Sequence, residues 1–479
     1  MVSTTIDGIQ YTLNNIDKTA TVARFCTWLD DYYWTRLCIP SSIFYKGEQY
    51  TVTEIAGSAC VNCDTLIFVF IPNTVIEIGD QAFARCNKLS NIIIPQSVTK
   101  IGSYAFSGTA WYDNQPDGSI YINNVLYAYK GTMQENTSID VKEGTVSISP
   151  YAFYNCAELI SITIPNGVTE ISHWTFYGCT KLRNISIPDS VTAISGHSFE
   201  ACCNLCELNI PNSVTKIGSY AFSETAWYNN QPNGVVYINN VLYAYKGAMP
   251  ENTSIDVKEG TVSIRRGAFL DCLELRSISI PKSVSEIDGY TFSGCSNLVT
   301  VNIAHGVTKI GEYAFSECRS LETIDIPDSV IEVGAAVFYK CENLQFVKMS
   351  DKIQFLPAEW ITGVVDLEFG NCDCFDGFFT SCRSLKSVQL PNGLKKISPA
   401  TFKGCSALSS IVIPEGVTSI DYGAFEGCSS LENIIIPQSI TEIGDKAFKD
   451  CGSLKSIILN KKAKLGKQVF NNGVVIEII

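Results

Sequence analysis

Apolar residues recur along this chain at an interval too long for one helical face and too regular for an ordinary globular core. A clear instance runs Ile413-Pro414, Val417, Ile420, Ala424-Phe425, Cys428, Leu431, Ile434 and Ile436, with mostly polar or small residues between. The aliphatic-proline mark returns at Pro72, Pro95, Pro165, Pro188, Pro211, Pro281, Pro327, Pro391, Pro414 and Pro437, most of them 23 residues apart. Ala304 and Ser350 fill the proline slot in two further repeats. Ile434 and Ile436 are two residues apart, the period that keeps side chains on one face of a strand. Ala424, Phe425 and Cys428 have the three-residue spacing of a short helical or 3-10 stretch. Proline has no N–H to give a ladder, so it closes the strand.

One such repeat cannot bury its apolar side alone, but stacked repeats bury a continuous column. The period therefore outranks any estimate of domain number from length. The pattern resembles the BspA-type, 23-residue leucine-rich repeats found in surface proteins of gut and oral bacteria and of some parasitic protozoa. It covers roughly residues 39–470, with thirteen Cys-x-x-Leu units in register. The resemblance implies an α/β repeat fold: a right-handed leucine-rich-repeat solenoid with a curved parallel β-sheet and short helical or 3-10 segments opposite. It implies adhesion or protein binding, not catalysis.

Two segments break the period. Residues 95–164 and 211–280 agree at 54 of 70 positions at an offset of 116. Each exceeds one repeat by 47 residues, close to two further repeats. Within them Ile120-Tyr121-Ile122 and Val125-Leu126-Tyr127 flank Asn123-Asn124, and Val236-Tyr237-Ile238 and Val241-Leu242-Tyr243 flank Asn239-Asn240. Asn tolerates the positive φ of a tight hairpin turn, so two inserted β-hairpins are expected. Trp111 and Tyr112, like their copies Trp227 and Tyr228, either plug the interruption or act with the hairpin tyrosines as recognition knobs. Residues 350–390 form an irregular turn around Trp360, Cys372, Cys374, Phe375, Phe378 and Phe379. Alternation at Ile9–Leu13 and Thr19–Val22 predicts a capping hairpin region over 1–38. The solenoid then spans 39–459, and residues 460–479 form the far cap.

Composition narrows the chemistry. Charged residues are 17% and the net charge is −13, an acidic balance that repels phosphate backbones and anionic lipid. No apolar run reaches the ~18 residues of a membrane span. The first residues form no signal peptide, so the chain either stays inside a cell or follows a removed leader. The cysteines at 63, 86, 156, 179, 202, 272, 295, 318, 341, 382, 405, 428 and 451 share one repeat slot and read as a column of small buried hydrophobes. Coils about 4.8 Å apart hold parallel Cβ vectors too far apart for relaxed disulfides, so mostly free thiols are expected. Cys60–Cys63 and Cys203–Cys206 lie several repeats apart and cannot share a zinc ion. His173, His197 and His305 join no catalytic or phosphate-binding motif. No enzyme activity, cofactor or metal is expected.

The outward strand positions identify where a partner could bind. They are mostly small and polar in the middle, but Phe68, Phe70 and Ile93 cluster at one end and Val412, Ile435 and Ile458 at the other, with Phe346 between. With Tyr121, Tyr127, Tyr237 and Tyr243 of the hairpins, these are the candidate partner-binding residues. The expected function is a protein-binding or adhesion module, monomeric, on a cell surface or secreted, contacting a host or other extracellular protein. Alternatives are a structural spacer in a multidomain surface protein and an intracellular interaction scaffold.

Overall fold

The computed structural model describes residues 2–25, 35–353 and 377–478, and the backbone alone of the paired strands Glu359–Trp360 and Phe375–Asp376. The Trp360 and Phe375 side chains, with Cys372 and Cys374, lie outside the described residues. The chain divides into two compact units, Met1–Asn230 and Gln231–Ile479. Each is a parallel β-solenoid with few helices.

Each regular coil contributes to two strand ladders. The Leu-x-x-Ile-x-Ile segment gives the longer strand, as in Phe68–Phe70 paired in parallel with Asn91–Ile93, or Ser410–Val412 with Asn433–Ile435. The Val-x-x-Ile segment gives a second strand of two residues, as in Glu77–Ile78 beside Lys100–Ile101, or Ser419–Ile420 beside Glu442–Ile443. This second ladder was not expected from the sequence. Proline joins the two: the Pro414 carbonyl accepts from Val417 N–H at 3.1 Å, and the same turn recurs at Pro72, Pro188 and Pro437.

The Ala-Phe-x-x-Cys stretch is not helical, a correction to the expected helical segments. Among the described residues the only α-helices are the single turns Ala110–Asp113 and Ala226–Asn229. The reason is visible in the dihedrals. The residues before the alanine and before the cysteine both take left-handed φ, as at Gly423 (+58°) and Gly427 (+78°), or Tyr151 (+62°) and Asn155 (+57°). A right-handed helix cannot pass through such residues. The N–H groups instead alternate in use. Trp174, Phe176 and Gly178 donate forward to Gly196, Ser198 and Glu200 of the next coil, at 3.2, 2.8 and 2.9 Å. The intervening Thr175, Tyr177 and Cys179 donate back three residues within their own turn.

Phenylalanine fills the core of this corner. In the first unit Phe153, Phe176, Phe199 and Phe222 stack with centroids 5.2–5.5 Å apart. In the second, Phe269, Phe292, Phe315, Phe338, Phe379, Phe402, Phe425, Phe448 and Phe470 stack at 5.1–5.8 Å. In most coils the cysteine three residues after the ring donates its thiol to a carbonyl of the preceding coil. Cys202 Sγ lies 3.1 Å from the Phe176 oxygen, which also accepts from Cys179 N–H. Ten such thiol contacts, at 2.9–3.2 Å, run through the two units.

The long segment 95–164 spans three coils, with short-ladder strands Lys100–Ile101, Val125–Leu126 and Ser147–Ile148. Thr109 accepts from Tyr112 N–H and caps the helix Ala110–Asp113, which replaces a long strand: Trp111 N–H still reaches Leu89 O at 2.7 Å. Gly118–Ile122 then pairs antiparallel with Val125–Lys130 around Asn123, whose φ is +52°. Val125–Leu126 joins the short ladder beside Ser147–Ile148, and Thr137–Asp140 joins the long ladder beside Leu159–Thr163. At the other end of the first unit, Val2–Ile6, Ile9–Asn14 and Thr19–Phe25 form an antiparallel meander that continues in parallel into Glu48–Ile55. Its buried Tyr11, Leu13 and Val22 cover the first coil.

Two outcomes test this account. Phe402→Ala, which opens the ring column in mid-array, is expected to lower stability by about 3–5 kcal/mol in chemical denaturation. Tyr127→Phe leaves the ring but removes the hydroxyl that accepts from buried Phe106 N–H at 2.9 Å. It is expected to cost about 1–3 kcal/mol by the same measurement.

Candidate partner-binding surfaces

On the long ladder, inward residues such as Val69, Ile411 and Leu431 are buried while their neighbours face out. This alternation places Phe70 directly beside Ile93 and Val412 directly beside Ile435. Phe70, Ile93, Val412 and Ile435 are 39%, 50%, 71% and 70% exposed, with nothing in the described chain folded over them. Ile458 is also exposed and pairs with Glu477, because Val475–Ile478 lies beside Ser456–Leu459 as the next strand and does not cover it. Phe346 is exposed between Thr323 and Ser387, isolated among polar neighbours. Phe68 is half-buried under the Arg36 guanidinium, 4.3 Å from the ring centroid. Elsewhere the face is polar, with hydroxyl pairs such as Ser161–Ser138 and Ser277–Ser254, both at 2.8 Å.

The hairpin tyrosines are placed differently from expectation. Tyr127 and Tyr243 are buried, so neither can meet a partner as placed. Tyr127 packs against Phe106 and Tyr112 and gives Phe106 N–H the acceptor that the next coil supplies elsewhere. Tyr121 and Tyr237 are half-buried, and their hydroxyls accept from the N–H of Lys142 and Lys258, both at 3.0 Å. All four sit in non-alternating or hydrogen-bonded positions that period-two reading could not resolve. Trp111 packs on Phe106 at 5.3 Å, filling the interruption.

A feature missed in the sequence is a second aromatic file in the first unit. Tyr104, Tyr151, Trp174, His197 and Tyr220 occupy the left-handed slot before Ala-Phe in their coils, with φ between +55° and +62°. Trp174 stacks on Tyr151 at 5.8 Å and on His197 at 4.0 Å, and Tyr154 stacks on Tyr177 at 5.1 Å. His197 Nδ1 contacts Glu200. Bulky side chains are rare at positive φ, so stacking must offset a backbone cost here. The signal was available: a ring stands one residue before Ala-Phe or its variant in five coils, at Tyr104, Tyr151, Trp174, His197 and Tyr220.

Every described cysteine is a free thiol, and Cys38, Cys203 and Cys206 are exposed. Burial pushes the Cys156 and Cys451 thiols up to about 12 and Cys272 to about 11. Among the described residues, no group of three or more His, Cys, Asp or Glu is placed to hold a metal ion. No described helix is long and apolar enough to cross a membrane.

Stacked coils with an inward leucine-isoleucine strand and an open outer face define a leucine-rich-repeat solenoid, an architecture suited to protein interaction. The chain belongs to the BspA-type leucine-rich repeat family: the profile described as BspA type Leucine rich repeat region (6 copies) matches residues 53–116, 120–247, 236–368 and 375–479. That family is generally non-enzymatic and typically found on the surface or secreted. Similar solved structures include a leucine-rich repeat protein from Bacteroides ovatus, 25% identical over 99% of each chain with a TM-score of 0.35. A leucine rich cell surface protein from Faecalibacterium prausnitzii is 25% identical over 99% of this chain and 98% of its own, with a TM-score of 0.29. The pneumococcal vaccine antigen PcpA is 18% identical over 88% of this chain and 93% of its own, also with a TM-score of 0.29. No curated protein matches.

The thiol column predicts a pH dependence. An unfolded thiol ionises near its ordinary value of about 9, whereas folded Cys156, Cys272 and Cys451 hold their protons to about 11–12. The stabilisation is therefore complete below about pH 9 and is lost as pH rises from there towards 12. Calorimetry is expected to show Tm falling as pH rises from about 9 towards 12, with a shallower fall in Cys272→Ala. Among the described cysteines, only Cys38, Cys203 and Cys206 are expected to react with a thiol reagent before unfolding.

Proposed function

We propose that the chain is the protein-binding part of a cell-surface or secreted adhesion protein, and that it grips an extracellular protein partner, as from a host, through the long-strand face. The observation that carries this reading is the exposure of paired large aliphatic and aromatic side chains on strands that are otherwise polar. A solvated face needs no such groups, and contiguous exposed apolar residues mark contact surfaces. Phe70 with Ile93, in the first unit, and Val412 with Ile435, in the second, are the anchors. The polar residues around each pair act as a rim that tolerates water. Its surface location is supported by family membership.

Biolayer interferometry against purified extracellular-matrix and serum proteins tests the reading. Saturable binding is expected, weakened at least tenfold by Phe70→Ser with Ile93→Ser or by Val412→Ser with Ile435→Ser, as for loss of central apolar anchors. Thermal melting of these variants is expected to match the parent. Binding unchanged by both pairs, or no binding to any such protein, overturns the proposal; the latter leaves a spacer.

A further inference from the structure

The second unit meets the tyrosines of its phenylalanine corner with its own cations. The Arg266 guanidinium lies 4.5 Å from the Tyr290 ring centroid and is paired with Glu312. Lys340 Nζ lies 4.8 Å from the Tyr339 centroid and 3.5 Å from Glu317 Oε1. Lys446 Nζ donates to the Tyr422 hydroxyl at 2.8 Å and lies 5.2 Å from that ring's centroid. The chain itself thus shows how this corner holds a guanidinium or an ammonium. A tyrosine offers its ring face or hydroxyl, and at Arg266 and Lys340 a carboxylate from a neighbouring coil adds its charge.

The first unit has the rings and the carboxylates without the cations. At the offset of 116, Trp174 stands where the second unit has Tyr290, and Pro150 where it has Arg266. Tyr177 follows Phe176 as Tyr339 follows Phe338, but Gly178 comes next where the second unit has Lys340. The corner stretches 102–109, 149–157, 172–180, 195–204 and 218–226 contain neither lysine nor arginine. Lys181, just beyond, is tied to Glu158 at 2.6 Å. Among the described residues no lysine or arginine lies over Tyr154, Tyr177 or Tyr220, and Tyr154 and Tyr220 are 38% and 50% exposed. Glu224 is exposed and its carboxylate has no ion pair or hydrogen bond among the described residues. The Glu200 carboxylate contacts only the His197 ring, and an uncharged imidazole leaves its negative charge standing. Partial burial, then Glu200, Tyr154 and Glu224, hold the Tyr177 phenol above its ordinary range, so both carboxylates act on this ring.

We infer that the aromatic corner of the first unit docks a basic peptide segment, whose arginine or lysine side chains take the places that Arg266, Lys340 and Lys446 fill in the second unit. Tyr177, Glu200 and Glu224 form the main cradle. Tyr154, stacked on Tyr177 at 5.1 Å, and Tyr220, stacked on His197 at 5.2 Å, extend it to either side. These groups lie on four successive coils about 4.8 Å apart, a span of about 14 Å. One ammonium cannot bridge that span, whereas about four residues of extended peptide can. The net charge of −13 draws a basic partner in, and the rings decide where it settles. The corner is separate from the long-strand face, so its occupancy does not rest on the proposal made for that face.

Fluorescence anisotropy of labelled nona-arginine titrated with the full chain is the test, with a labelled glycine-serine nonapeptide as the uncharged control. Saturable binding of nona-arginine, and none of the control, is expected. Binding is expected to weaken about tenfold or more in Tyr177→Ser with Tyr220→Ser, which leaves the net charge unchanged, and in Glu200→Gln with Glu224→Gln. Glu415→Gln with Glu432→Gln removes the same charge from exposed positions of the second unit and is expected to bind as the parent does. Thermal melting checks that each pair folds, and the Glu200 and Glu224 pair keeps every ring in place if the serine pair does not. No binding of nona-arginine, binding of the control, undiminished binding in a folded corner pair, an equal loss in the second-unit pair, or displacement by spermidine at the peptide's own concentration overturns it.

Discussion

The forward hydrogen bond at the phenylalanine corner is the constraint on which the remaining architecture depends. Alternate N–H groups there leave their own coil and find carbonyls in the next, as Phe176 does with Ser198. To aim them outward the chain must turn through left-handed φ twice per corner, which excludes a helix and brings successive Phe rings into register. The thiol contact follows from the same geometry. Once the coils are one spacing apart, a cysteine beside the ring faces the carbonyl behind it, as Cys202 faces Phe176. Where the next coil is irregular and offers no such carbonyl, a substitute acceptor is needed, and the Tyr127 hydroxyl serves Phe106. What looked like an inserted recognition knob is part of this accounting of backbone donors.

The parts legible in the sequence were those the repeat enforces independently in every coil. Phe425, Cys428, Leu431 and Ile434 recur at fixed spacing because each must enter the same column, and their burial follows. The short ladder was hidden because two residues, such as Glu442–Ile443, are too few to display alternation. The left-handed slots were hidden because tyrosine, tryptophan and lysine often occupy them where glycine would have announced them. The outward positions of Phe70, Ile93, Val412 and Ile435 could be read, since period two fixes direction on a regular strand. Tyr127 could not be, because Val125-Leu126-Tyr127 is buried throughout and follows no alternation.

The long-strand face is assembled from residues one coil apart, so its character changes gradually and favours broad contact with another protein.

The sulfur column also bears on where such a chain can reside. Disulfide exchange and oxidation proceed through the thiolate, and burial raises the Cys156, Cys272 and Cys451 thiols to about 11–12, which keeps these members of the column protonated across physiological pH. Passage from a reducing cytosol to an oxidising exterior would leave these sulfurs covalently unchanged. A cysteine-rich scaffold built this way needs neither an isomerase nor correct pairing to mature, and its lifetime outside a cell is set by how seldom its coils open.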